Sequence, residues 1–158
     1  MISIRCVIGV IKCEPVIARL RGGMGGTMLE TGIKGEAAEI VTERNTARAM
    51  GSGMLEVYAT PAMIALIEKA ACESVAPELE TGKGTVGTLL QVKHLSASPV
   101  GMKITARTTL TEIDRKRLTF AVEAYDETGK IGEGIHERFI IDNEAFFNKA
   151  NQKWEAEG

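Results

Sequence analysis

Apolar and polar residues alternate along the second half of the chain in a pattern that predicts β-strands. Apolar side chains occupy every second position from Leu118 to Ala124, and the run from Ile104 to Leu110 has the same period. A period of two places alternate side chains on opposite sides of a strand. Strands are therefore expected at residues 35–43, 85–95, 103–113, 117–126 and 131–141, with hairpin turns at 114–116 and 127–130.

Apolar residues occupy nearly every position between Pro61 and Val75, which predicts a helix surrounded by other structure. Thr60 before Pro61 is typical of a helix start, because the hydroxyl accepts a free backbone N–H and proline loses no hydrogen bond there. Pro77 ends the helix, and residues 143–154 are expected to form a second, amphipathic one. One long helix beside a mostly antiparallel sheet is an α+β fold, which is the predicted class.

Glu68 interrupts the apolar helix and is the first residue to suspect of chemistry. An ionised carboxylate in apolar surroundings is costly unless it is paired, hydrogen-bonded or in a polar cleft. The alternative is a partly exposed glutamate at the edge of the helix, beside Lys69. The sequence therefore leaves Glu68 with one functional and one structural interpretation.

Residues 1–27 differ in composition from the rest of the chain. The first stretch is apolar but is interrupted by Arg5 and Lys12, and it is too short to span a membrane. No clear cleavage site follows it directly, so a secretory signal is not indicated. We expect an N-terminal extension at 1–27 and a single domain at 28–158. The alternative is an atypical first strand.

The composition excludes several classes of function. There are 19 basic and 21 acidic residues, giving a net charge of −2, so the chain lacks the positive surface of a nucleic-acid binder. Aromatic residues make up only 4% of the chain, which also disfavours stacking on bases. Three cysteines without metal-ligand spacing indicate a reducing, cytoplasmic location and no metal site. Two histidines, His94 and His136, are available for histidine-based chemistry.

Several short motifs, taken together, resemble the hot-dog-fold acyl-CoA thioesterases, and the fluoroacetyl-CoA thioesterases in particular. In chain order they are Ala59-Thr60-Pro61, Ile67-Glu68, Gly84-Thr85-Val86-Gly87, Val92-Lys93-His94-Leu95, Pro99-Val100-Gly101 and the run from Gly132 to Phe139. The likeness extends from about residue 35 to about residue 153. It implies a sheet wrapped around a central helix, a homodimer with active sites at the subunit interface, an acyl-CoA substrate and no separate cofactor.

The resemblance places the family's catalytic threonine, glutamate and histidine at Thr60, Glu68 and His94. Glu68 can attack the thioester carbonyl directly or act as a general base on water. His94 can polarise the substrate, and Thr60 can orient the carboxylate or bind the thioester. The resemblance also places Gly87 at the substrate, where a missing side chain permits close approach to the main chain. The structural alternatives are a capping threonine and a histidine with only a packing role.

Arg138 is the remaining candidate for binding the substrate. A guanidinium suits a phosphate of coenzyme A, and period-two geometry places Arg138 on the same face of a strand as His136. For His136 the preferred interpretation is a cross-strand pair with Glu133 or Glu137. These assignments predict one substrate-binding residue and one structural residue on the same strand.

The spacing of Thr60 and Glu68 restricts how the two residues cooperate. Eight residues along one continuous helix correspond to about 12 Å of rise. This separation is too long for a direct side-chain hydrogen bond. Either the two residues come from different subunits of a dimer, or Thr60 lies on a loop that bends back.

The stretch that corresponds to the family's aromatic-rich lid, residues 47–58, contains only one aromatic residue, Tyr58. Small changes in a lid alter substrate choice, so a short or medium acyl-CoA is expected rather than fluoroacetyl-CoA specifically. The expected reaction is hydrolysis to the free acid and coenzyme A. The alternatives are a non-catalytic acyl-CoA binding or sensing module and, with less support, a hot-dog hydratase, which would need an aspartate near His94.

Overall fold

The computed structural model of the protein describes residues 29–155. The N-terminal extension expected at 1–27 lies outside the described residues. Within them, no helix is both long enough and apolar enough to cross a membrane.

The described residues form a five-stranded antiparallel sheet that contains every predicted strand. The strands are β1 (Lys34–Ile40), β2 (Lys83–His94), β3 (Lys103–Asp114), β4 (Arg117–Tyr125) and β5 (Lys130–Asp142). They lie in the order β1-β3-β4-β5-β2, so the hairpin-connected strands β3, β4 and β5 occupy the centre and β1 and β2 the edges. The first strand is shorter than expected because a turn follows it, in which Asn45 Oδ1 accepts a hydrogen bond from the Thr42 backbone at 2.7 Å.

Helix α1 (Thr60–Val75) packs on one face of the sheet, and helix α2 (Asn143–Glu155) follows β5. The core is formed by one side of α1 and by inward-facing strand residues, among them Met63, Ile67, Ile104, Leu110, Leu118, Phe120 and Val122. Strand β1 passes α1 so closely that a Cβ atom on Gly35 would collide with the Ala70 carbonyl. The α+β arrangement predicted from the sequence is confirmed.

The expectation that α1 is surrounded on all sides is wrong for the single chain. Pro61, Ala65 and Lys69 are exposed, and Ile64 and Glu68 are partly exposed, so these positions form an open stripe along the helix. Hydrophobic stabilisation scales with the apolar area removed from water, and alanine offers little area. An alanine-rich pattern therefore does not require burial on every side. Glu68 belongs to this open stripe.

Strand β2 pairs with β5 on one side, and among residues 29–155 no strand pairs with its other edge. None of its 12 residues is buried, and Leu89 is 44% exposed. The register against β5 shifts between Gly87 and Leu89, which marks a β-bulge. A long open edge strand presents unpaired backbone groups and is suited to pairing with another chain.

Candidate active site

The structure brings Thr60 and His94 together within one chain. Thr60 is the first residue of α1, His94 is the last residue of β2, and Thr60 Oγ1 lies 2.8 Å from His94 Nδ1. The prediction that Thr60 caps the helix is wrong, because Ala59 occupies the N-cap position and no side chain caps there. The hydroxyl is engaged with the imidazole instead.

The surroundings of His94 favour its neutral form. Partial burial lowers the pKa of His94, and the nearby backbone of Ser96 opposes this effect only in part. Its other ring nitrogen, Nε2, is buried and has no hydrogen-bond partner among the described residues. If Thr60 donates to Nδ1, then Nε2 carries the ring proton. The imidazole then offers an unused N–H donor.

A cavity of about 330 Å³ lies beside this pair of residues. Its lining residues are Ala47, Ser52, Val57, Tyr58, Thr60, His94, Leu95, Ser96 and Ala97. Tyr58 does not form a lid: it is 1% exposed, donates to Glu39 Oε1 at 2.5 Å, and packs edge-on against the His94 ring. Met54 and Leu55, in the preceding loop, are 80% and 68% exposed. Apart from His94, the cavity is therefore lined by small or aliphatic residues and by Tyr58, which is fixed by a partly buried hydrogen bond.

Glu68 forms a separate site further along α1. Its Oε2 atom lies 3.1 Å from Nη1 of Arg138, whose side chain is only 6% exposed, whereas the Glu68 side chain is 37% exposed. A Cβ atom on Gly87 would lie 2.7 Å from the same carboxylate oxygen. The main chain of β2 therefore passes directly over the carboxylate, and a side chain at position 87 would displace the carboxylate from this place.

Arg138 is a buried partner of Glu68 rather than an exposed cation. Its Nε donates to Thr85 Oγ1 and its Nη2 to the Thr85 carbonyl, both at 2.8 Å, and its Nη1 lies 3.1 Å from His136 Nε2. All three guanidinium nitrogens are engaged within the protein. This arrangement does not favour the predicted contact with a coenzyme A phosphate.

The predicted pairing of His136 with Glu133 or Glu137 is wrong. The residue shares a face of β5 with Arg138, as expected, but that face is the buried one, and His136 is 0% exposed. Its Nδ1 lies 2.9 Å from the Leu89 carbonyl oxygen. Glu133 and Glu137 lie three positions before and one position after it on the strand, and so point to the other side of the sheet. The sequence pattern indicated the shared face but not which face is buried.

The two groups of polar residues do not meet within one chain. Thr60 and Glu68 belong to one continuous helix, so about 12 Å of rise separates them. On the neighbouring strand, Gly87 and His94 are separated by roughly 23 Å of extended chain. The alternative that Thr60 lies on a bent-back loop is excluded, since the residue is helical. Within the described residues, no group of three or more histidine, cysteine, aspartate or glutamate side chains is arranged to hold a metal ion.

Comparison with known proteins identifies relatives of this chain. A family model described as fluoroacetyl-CoA-specific thioesterase matches residues 41–144. The fluoroacetyl-CoA thioesterase of Streptantibioticus cattleyicolor is 41% identical over 98 residues, which make up 62% of this chain and 70% of the relative. The solved structure of the fluoroacetyl-CoA thioesterase FlK has a TM-score of 0.76 at 33% identity and covers 80% of this chain and 98% of its own.

A more distant structural relative supports the fold alone. The hot-dog-like protein of Thermanaerovibrio acidaminovorans has a TM-score of 0.71 at 21% identity, covering 81% of this chain and 93% of its own. The family match spans α1 and all strands except β1, and it therefore includes both groups of polar residues. The resemblance inferred from the sequence motifs is confirmed. The chain belongs to the fluoroacetyl-CoA-specific thioesterase family and is a thioester hydrolase with the hot-dog fold.

Proposed function

We propose that the protein hydrolyses a short or medium acyl-CoA thioester to the free acid and coenzyme A, with Glu68 as the reacting carboxylate. The proposal rests mainly on the position of Glu68, which is held by a buried arginine beneath a strand that has no side chain at Gly87. The named relative acts on fluoroacetyl-CoA. The lining of the cavity beside His94 gives no reason to restrict this chain to that acyl group.

Glu68 is arranged to react while it is ionised. Arg138 compensates the charge of the carboxylate through Oε2, and we assign the other oxygen, Oε1, to the substrate. As a nucleophile, Oε1 forms a bond to the thioester carbon, the carbon–sulfur bond breaks, and water hydrolyses the resulting anhydride. As a general base, the carboxylate takes a proton from the water that attacks the same carbon. In both routes the coenzyme A thiolate leaves and acquires a proton.

Thr60 and His94 act on the thioester from the opposite side of the site. The Thr60 hydroxyl orients the imidazole through Nδ1, and Nε2, which is buried and unpartnered among the described residues, is the donor that we assign to the carbonyl oxygen or to the leaving sulfur. A donor placed where negative charge develops stabilises the transition state of acyl transfer. Gly87 is exposed beside Glu68 and stays a proposed contact for the substrate.

The two groups of residues meet if two chains pair through their open β2 edges. When two copies of β2 pair antiparallel around a two-fold axis, a residue near the start of one β2 faces a residue near the end of the β2 in the other subunit. An axis near the middle of β2 therefore places Gly87 within about four residues of His94 of the partner subunit. Each site then takes Glu68 from one chain and the Thr60–His94 pair from the other. Such a homodimer also covers the backbone edge that the single chain exposes.

The proposed reaction is tested by measuring thiol release from a panel of acyl-CoAs that differ in chain length and include fluoroacetyl-CoA. Glu68→Gln keeps the shape of the side chain and removes the carboxylate, and Glu73→Gln removes an exposed carboxylate from the same helix. We expect E68Q to lose about 10²- to 10⁴-fold in kcat and E73Q to behave as the wild type. Equal release by E68Q and the wild type would remove the role assigned to Glu68.

A further inference from the structure

His136 is a buried histidine that the reaction described above does not use directly. Its ring packs against Phe120 with the centroids 6.2 Å apart and the planes inclined by 29°. Nδ1 lies 2.9 Å from the Leu89 carbonyl oxygen, and Nε2 lies 3.1 Å from Arg138 Nη1. Both ring nitrogens are therefore committed to defined partners in the interior.

The chemistry of these partners determines where the ring proton sits. An arginine guanidinium only donates hydrogen bonds, so Nε2 of His136 must accept from Arg138 and carries no proton. A carbonyl oxygen only accepts, so Nδ1 must carry the proton and donate to Leu89. The neutral ring protonated at Nδ1 is the form that satisfies both contacts. The other tautomer and the imidazolium ion would each direct an N–H group of the ring at an N–H group of Arg138.

The same guanidinium nitrogen connects His136 to the reacting carboxylate. Nη1 of Arg138 has two hydrogens, and it contacts Glu68 Oε2 and His136 Nε2, each at 3.1 Å. Thr85 binds the opposite edge of the guanidinium through its hydroxyl and its carbonyl. Arg138 is therefore restrained on two sides, and the hydrogen that it directs at Glu68 is oriented by the acceptor on His136.

We propose that His136 is a positioning residue for Glu68: as a neutral ring protonated at Nδ1, it accepts a hydrogen bond from Arg138 and so fixes the guanidinium that orients the carboxylate. The proposal rests on the proposed role of Glu68 in the reaction. His136 does not contact the substrate in this scheme. It acts through Arg138, and its protonation would remove the acceptor and loosen the ion pair.

The charges around His136 support the neutral form. The charged groups that act on the ring are Arg138, on the same strand, and Glu68, on α1, whereas β2 and β4 present only the Leu89 carbonyl and the Phe120 ring. Burial lowers the pKa of His136 and Arg138 lowers it further, while the bond to Leu89 and the charge of Glu68 act in the opposite direction. The net direction is downward, toward a ring that is neutral at pH 7.

The tautomer can be tested without any substrate. Long-range ¹H–¹⁵N correlation spectra of the intact protein distinguish the two neutral tautomers and the imidazolium ion. The chain has only two histidines, so a His94→Gln variant assigns the signals of His136. We expect His136 to be neutral with the proton on Nδ1 at pH 7. An imidazolium ion, or a proton on Nε2, would overturn the proposal whether or not the protein hydrolyses an acyl-CoA.

Two substitutions separate positioning from packing. In His136→Gln the amide oxygen can take the place of Nε2 and accept from Arg138, whereas in His136→Asn the shorter amide can take the place of Nδ1 and reaches only Leu89. We expect kcat of H136N to fall on the order of 10- to 100-fold with little change in KM, and H136Q to recover most of that loss. Equal kcat values for the two variants, both shown to be folded by circular dichroism, would overturn the proposal. If the wild type releases no thiol from any acyl-CoA, the proposed function is refuted. The tautomer of His136, measured by NMR without substrate, then decides by itself whether His136 fixes the guanidinium of Arg138.

Discussion

Mixing of inactive variants tests whether each active site is shared between two subunits. Thr60→Ala damages the Thr60–His94 pair, and Glu68→Gln removes the carboxylate. In a hybrid dimer of these two variants, a shared-site arrangement leaves one site with both residues intact and the other with neither. A hybrid therefore has half the activity of a wild-type dimer. Equal mixing with random exchange makes about half of all dimers hybrids, so about one quarter of the wild-type activity is expected to return.

The structure supplies a matched negative control for this experiment. Thr60 and His94 belong to the same chain, with Thr60 Oγ1 2.8 Å from His94 Nδ1. A hybrid of Thr60→Ala and His94→Ala therefore has one damaged residue in each of its sites and recovers nothing. A hybrid of His94→Ala and Glu68→Gln recovers in the same way as the first mixture. The three mixtures together identify which residues act from the same subunit.

Thiol release is measured after the subunits have exchanged. The exchange itself is verified by the mass difference between tagged and untagged chains. If each site were formed within one chain, every hybrid would carry two damaged sites. The activity of the mixture would then equal the average of the two parent variants. Absence of recovery in the Thr60→Ala and Glu68→Gln mixture, with exchange verified, would refute the shared site. Recovery in the Thr60→Ala and His94→Ala mixture would refute the pairing of these two residues within one chain.

Two further predictions concern the strand over the carboxylate and the pH dependence of stability. Gly87→Ala places a methyl group 2.7 Å from Glu68 Oε2. We therefore expect the rate of thiol release to fall by about 10-fold or more, while the circular dichroism spectrum remains that of the folded protein. An unchanged kcat would contradict this close approach. Folding lowers the pKa of both His94 and His136 below 6.5. Near that pH the unfolded chain therefore binds more protons than the folded chain. As a result, the free energy of unfolding falls as the solution is acidified. Thermal melts between about pH 7.5 and 5.5 should show a decreasing Tm, with a smaller decrease in His136→Gln, and a constant Tm would contradict the prediction.

Local patterns in the sequence were sufficient to predict the secondary structure. The alternation from Leu118 to Ala124 and the turns on both sides predicted β4 and its hairpins, because these features depend only on neighbouring residues. The extent of α1 was predicted to within one residue for the same reason. The capping role of Thr60 was wrong because a threonine hydroxyl has other possible partners. The partner that it finds, His94, is 34 residues away in sequence and is brought close by the fold.

The partner of Glu68 depends on a property of the fold that no local pattern contains. Arg138 and His136 were predicted to share a face of one strand, but both faces of β5 carry charged residues, so period-two geometry alone did not indicate which face is buried. The choice follows from the position of α1, because Met63 lies against Gly132 and Glu68 contacts Arg138 on one face of β5, and that face is the buried one. The sequence motifs therefore identified the carboxylate. The contact of Arg138 with that carboxylate, and of His136 with Arg138, became recognisable only when β2, β5 and α1 were placed side by side.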